Sequence, residues 1–123
     1  MKKLIIFIIP IIFLCGCSSN KKEEKIADIT NISCEEKDKL LEEDAILIDV
    51  RSKEEYNVYH LDNSINIDHE EIEKKISDYV KDKNVKIIVY CQSGGRSKIA
   101  AETLVKMGYV NVYDMGSINN CKK

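Results

Sequence analysis

The residues best suited to chemistry lie together in one run, Cys91-Gln92-Ser93-Gly94-Gly95-Arg96-Ser97. A cysteine thiolate is a strong nucleophile, but a free thiol with a pKa of about 8.5 is only a few per cent ionised at neutral pH. The neighbours supply what would shift that balance. Gly94 and Gly95 let the backbone turn its N–H groups inward as an anion nest. Arg96 brings a permanent charge and a fork of donors. A cysteine facing such a nest ionises more readily, each pKa unit of depression being about 1.4 kcal/mol in favour of the thiolate. Taken alone, a cysteine before a glycine turn reads as a packing residue. Here nucleophile, glycines, arginine and a helix start coincide, and the chemical reading prevails.

Such a loop needs elements to hold it. Val85-Lys86-Ile87-Ile88-Val89-Tyr90 leads into it, and Ala45-Ile46-Leu47-Ile48-Asp49-Val50 is a second apolar run. Both predict strands buried on two faces of a parallel sheet. Ile65-Asn66-Ile67 and Val110 to Tyr113 read as further short strands. Ser33 and Ser52 each open an S-x-x-E capping box, predicting helices to about Glu43 and Tyr59. Ile72, Ile76, Tyr79 and Val80 share one face of a helix within Glu70 to Val80, and Ala100, Leu104 and Met107 one face of a helix over Ser97 to Met107, stopped by Gly108. The alternation predicts an α/β sheet with crossover helices. In such sheets ligands bind beyond the carboxyl ends of strands, where Cys91 falls. The following helix adds free N–H groups and a positive dipole end.

With those elements in place the chain resembles a single-domain rhodanese from about Ile26 to Gly116. The resemblance rests on Leu47-Ile48-Asp49-Val50-Arg51 with Glu54-Glu55-Tyr56, on His60 and Ser64-Ile65-Asn66-Ile67, and on Val89-Tyr90-Cys91 with Ser93-Gly94-x-Arg96-Ser97. Gly108-Tyr109 and Asn111-Val112-Tyr113 extend it. It implies an α/β fold of about five parallel strands flanked by helices on both faces, and sulfurtransferase chemistry without a metal or organic cofactor. Cys91 would be the nucleophile, and Gln92, Ser93, Gly94, Gly95, Arg96 and Ser97 would line the substrate site. Rhodanese loops have the form Cys-x4-Arg, as here, whereas related phosphatases have Cys-x5-Arg, a wider ring for a tetrahedral phosphoryl group. An arsenate or phosphate-ester enzyme is therefore the weaker alternative. The implied mechanism is double displacement: Cys91 takes the outer sulfur of a donor such as thiosulfate, and a thiol or protein acceptor removes it from the persulfide. A persulfide carrier or redox partner without turnover is the other reading.

Asp49 and Arg51 match the family's Asp-x-Arg at a strand end and read as a salt link supporting the loop. Ser97 is expected to cap the helix and line the loop. His60 reads as structural and His69 as a surface residue, and their separation from the cysteines makes no zinc spacing. Cys34, in a helix's first turn, reads as a packing residue. Cys121 has no settled role, resolution of an oxidised Cys91 being one option. The family's Gly-His-Ile-Pro-Gly stretch appears as Tyr59-His60-Leu61-Asp62-Asn63, so Asn63 must supply the left-handed turn that glycine would. Gln92 is neutral where many relatives carry a cation.

The N-terminus carries a separate message. Met1-Lys2-Lys3 precedes an apolar run from Leu4 to Leu14, shorter than the roughly 20 residues a membrane helix needs. It fits a secretory signal. Leu14-Cys15-Gly16-Cys17 resembles a lipoprotein box, which implies cleavage after residue 16 and lipid on Cys17. Residues 17–25 then read as a solvated tether and residues 26–123 as the folded domain. The expected place is the extracytoplasmic face of the cell membrane, held by a lipid anchor. The whole chain, 123 residues with 44% hydrophobic and 33% charged side chains, suits one globular domain. A net charge of -2 argues against a nucleic-acid partner.

Overall fold

A computed structural model describes residues 28–122. The predicted signal peptide, the Cys17 lipid site and the tether lie outside the described residues.

The apolar runs form the centre of the sheet. The strands are β1 (Thr30–Asn31), β2 (Ile46–Asp49), β3 (Ser64–Asn66), β4 (Lys86–Cys91) and β5 (Asn111–Ser117). The helices are α1 (Cys34–Glu42), α2 (Lys53–Val58), α3 (Ile72–Tyr79) and α4 (Gly95–Lys106), followed by a 3-10 turn over Ile118–Cys121. The strand order is β1-β5-β4-β2-β3, and every pairing is parallel. β4 is therefore the middle strand, with Ile88 opposite Leu47 on one side and Tyr113 on the other.

Alternation along β4 divides the core. Ile87, Val89 and Cys91 face a cluster built with Ile72, Ile76, Ala100 and Leu104, which is the side of α3 and α4. Ile88 and Tyr90 face the opposite cluster, with Leu47, Met115, Ile118 and the partly buried Leu40 and Leu41 of α1. Helices thus cover both faces, as expected. Each fully buried isoleucine or leucine stabilises the fold by roughly 1.5–3 kcal/mol.

The serine caps behave as read. Ser33 Oγ accepts from the Glu36 N–H, and Ser52 with Glu55 forms the complete reciprocal box. Asn63 takes φ 67° in place of glycine. One strand is new and three readings change. β1, two residues long, carries no periodic signal and exists by pairing with β5. β5 continues past Tyr113 to Ser117 because β4 offers it partners to Cys91. Tyr79 is 54% exposed, since the helix ends there and Val80 turns back into the core instead. α4 starts at Gly95 rather than Ser97, and Met107, past its end, is only half-buried.

Candidate functional site

Cys91 is the last residue of β4, and its side chain is delivered to the α3/α4 side of the sheet at the sheet's carboxyl edge. The chain must then turn directly into α4. Gly94 makes that turn with φ +105°, a conformation that a side chain would strain. The turn folds the backbone back over the sulfur. Cys91 Sγ accepts the Gly94 N–H at 2.9 Å and the Ser97 N–H at 3.3 Å. Both donors belong to the start of α4, where helical N–H groups lack internal partners. Negative charge on this sulfur, or on a sulfur attached to it, would meet oriented donors without reorganisation. The residue itself is wholly buried.

The other loop residues divide. Gln92, Ser93 and Gly95 are exposed. Ser97 is buried as the third residue of α4, so it does not cap the helix; its Oγ donates to the Gly94 carbonyl at 3.1 Å and stiffens the turn. Arg96 does not present a free fork to the loop. Its guanidinium is held by Glu55, at 2.6 Å to Oε1 and 3.0 Å to Oε2. Glu55 is the site residue that motif reading left in its capping role. Its carboxylate also accepts from Ser52, and the Arg96 guanidinium holds its pKa down at about 2. The same pair pushes the Arg96 pKa up. The capping box placed Glu55 on the first turn of α2, but only the packing of β2 beside β4 brings that turn to the loop.

Asp49 and Arg51 form the expected salt link, and it is buried. Arg51 Nη2 donates to Asp49 Oδ2 at 2.7 Å and to the Tyr59 carbonyl at 2.6 Å, and Nη1 reaches Gln92 Oε1 at 3.3 Å. The hydrogen bond to Asp49 raises the Arg51 pKa. Gln92 is tied from the other side, where the Ser117 hydroxyl donates to its carbonyl at 2.6 Å. Beneath the loop, the Tyr90 hydroxyl donates to Ser64 Oγ at 3.0 Å and accepts the Leu61 N–H at 3.1 Å. Burial pushes the Tyr90 phenol pKa up.

His60 stacks on Tyr56, ring centroids 3.7 Å apart, with Nδ1 at 2.8 Å from the Tyr56 carbonyl, which is a structural setting. His69 sits beside Asp68 at 3.0 Å. The two remaining cysteines are reassigned. Cys34 and Cys121 are joined in a disulfide, so Cys34 is more than a packing residue and Cys121 is not placed to resolve Cys91. The two are 87 residues apart in sequence, and spacing gave no hint of the pairing. Cys91 is the free cysteine among the described residues.

Fold and site define a class: a parallel α/β domain that presents a cysteine in an amide-lined loop at the carboxyl end of its middle strand. The rhodanese-like domain family matches residues 33–123, and the chain belongs to that family as a rhodanese-type sulfurtransferase. It is 40% identical over 73 residues to thiosulfate sulfurtransferase PspE of Escherichia coli (strain K12), covering 59% of this chain and 70% of the relative. It is 41% identical over 76 residues to the adenylyltransferase and sulfurtransferase UBA4 of Candida albicans, where the match covers 57% of this chain but 17% of that protein. Among solved structures it is similar to a rhodanese with anions from E. coli, with a TM-score of 0.61 at 37% identity, over 63% of this chain and 92% of that one.

Proposed function

We propose that this protein moves sulfane sulfur from a donor to a thiol or protein acceptor through a persulfide on Cys91, at the outer face of the membrane to which Cys17 anchors it. The observation that carries the transfer reading is the pair of N–H groups, of Gly94 and Ser97, aimed at Cys91 Sγ. In the first half-reaction the Cys91 thiolate attacks the outer sulfur of the donor. A bond forms between Sγ and that sulfur, and the donor's S–S bond breaks with its electron pair leaving on the remainder, sulfite when thiosulfate is the donor. In the second half an acceptor thiolate attacks the outer sulfur of the persulfide and Cys91 departs as thiolate. The two loop amides hold the charge on sulfur at both ends of the cycle. Gln92, Ser93, Gly95 and Arg96, which share the loop with Cys91, would line the position of the outer sulfur. Asp49 and Arg51 act by fixing Gln92 rather than by touching the sulfur.

Intact mass spectrometry of residues 26–123 tests the reading. A sulfane donor should add one sulfur to the protein, and Cys91→Ser should gain none. Absence of any mass gain would refute transfer. A gain without turnover would assign the carrier role instead.

The Cys34–Cys121 disulfide supports an extracytoplasmic setting, since such bonds persist in oxidising compartments. Among the described residues no helix is long and apolar enough to cross a membrane. The anchor therefore rests on the lipoprotein box. Cys17→Ser should leave the precursor unprocessed and without fatty acid, and a variant still labelled with fatty acid would refute the anchor.

A further inference from the structure

We propose that Ser117 is a positioning residue for sulfur transfer: by holding the Gln92 carbonyl it aims the Ser93 N–H at the sulfur that Cys91 carries. This rests on the transfer reading above and adds to it a residue from outside the cysteine loop.

The place of Ser117 begins with a bulge. β4 and β5 pair in simple register from Lys86 with Asn111 to Val89 with Asp114. β5 then spends one extra residue, Met115, so that Tyr90 lies opposite Gly116 and Cys91 opposite Ser117. Bulges are rare between parallel strands, and beside active sites they re-aim side chains. The Asp114 carboxylate holds this one by accepting the Gly116 N–H at 2.8 Å. Without the extra residue Gly116, which has no side chain, would stand opposite Cys91.

The hydroxyl is fixed from several directions. Ser117 is the N-cap of the 3-10 turn, and its Oγ accepts the Asn119 N–H at 3.0 Å. The same Oγ donates to the Gln92 carbonyl at 2.6 Å. Cys121 ends the turn and is bonded to Cys34, so Ser117 lies between its pairing with β4 and a covalent closure. Gln92 is thereby gripped twice, at its carbonyl by Ser117 and at its side chain by Arg51.

A trans peptide unit is rigid and points its C=O and N–H in opposite directions. The peptide bonds among the described residues are trans. The Gln92 carbonyl is drawn to β5, so the Ser93 N–H, across the same plane, points away from β5. Among the described residues that N–H has no hydrogen-bond partner. The Gly94 and Ser97 N–H groups are already engaged by Cys91 Sγ. The Ser93 N–H is left for the second sulfur, where negative charge arrives when the persulfide forms. A donor already aimed meets that charge without reorganisation.

The test follows the loading of Cys91 by thiosulfate and by cysteine persulfide, read as the gain of one sulfur in intact mass. Beside it stands the pH profile of Cys91 alkylation by iodoacetamide, which reports the thiolate held by the Gly94 and Ser97 N–H groups. Ser117→Ala frees the Gln92–Ser93 peptide and should slow loading about tenfold, the scale of one hydrogen bond to a charged group. The alkylation profile should stay in place. Ser117→Thr keeps the hydroxyl and should restore the rate. Undiminished loading in Ser117→Ala would overturn the inference. So would slower loading with a displaced alkylation profile, which marks general loosening of the loop. A Ser117→Thr variant as slow as Ser117→Ala would overturn it too. In each of these cases the transfer reading stands. Failure of the wild type to load from either donor would overturn the transfer reading and this inference with it.

Discussion

Opening the Cys34–Cys121 bond should destabilise the domain mainly through its unfolded state. The bond joins the first residue of α1 to the last residue of the 3-10 turn, with Cα atoms 5.3 Å apart and a sequence separation of 87. Nearly the whole described domain lies inside that loop. Chain entropy for a loop of this length corresponds to about 4.6 kcal/mol at 25 °C, near the top of the 2–5 kcal/mol seen when native disulfides are removed from small domains. Part of the folded-state cost is local, because Cys121 packs in the apolar cluster with Met115 and Ile118. For a domain of this size each kcal/mol shifts Tm by roughly 4–8 °C, so a fall of about 10 °C or more is expected. The assay is urea unfolding followed by circular dichroism, comparing the oxidised domain with a Cys34→Ser/Cys121→Ser variant. Both carry Cys91→Ser, so that no thiol remains to exchange with the bond. The variant's m-value should also rise, since its denatured chain is free to expand. A stability difference below about 0.5 kcal/mol with an unchanged m-value would refute the reasoning. Thiol titration of the folded oxidised wild-type domain should find the Cys91 group and no other.

Three further outcomes follow from the site. Gly94→Ala places a side chain at φ +105°, so it should cost about 1–2 kcal/mol in denaturant stability and reduce sulfur loading of Cys91, because the same turn aims the Gly94 N–H at Sγ. Stability unaffected by this change would show that the turn is not under that constraint. Tyr90→Phe leaves the buried Leu61 N–H without its acceptor and should cost about 1–3 kcal/mol, measured by the same unfolding curves. Glu55, with its pKa lowered to about 2, contributes stability that is fully present above the ordinary carboxylate range near pH 4.5 and is lost as pH falls through about 2. The pair is about one-third exposed, which screens that contribution to roughly 1 kcal/mol. Glu55→Gln should therefore flatten the acid limb of a stability–pH profile between those values. An acid limb of the same slope in both proteins would place the pair's contribution at nothing.

The cysteine loop was legible early because its signal is local. Cys91, the glycine turn and the helix start occupy consecutive positions, and hydrogen bonds between Cys91 Sγ and the N–H groups of residues 94 and 97 need only that short segment to fold. The inner strands β2 and β4 were legible for a similar reason: a strand buried on both faces must be apolar throughout. The caps at Ser33 and Ser52 and the left-handed Asn63 are also decided within a few residues.

What needed the tertiary structure has partners far apart in the chain. β1 is a strand only because β5 lies beside it. The partner of Arg96 is 41 residues away, and that pairing turns an apparent anion-binding cation into half of a neutral pair. Cys34 and Cys121 read as unrelated thiols until the fold brings α1 and the final turn to the same face of the sheet. Sequence alone determined the fold class and the cysteine loop, because periodicity and turn chemistry are short-range. The charge balance of the site and the covalent closure of the domain were decided by chain topology, because Coulomb energy and disulfide geometry depend on distance in space, which sequence spacing does not measure.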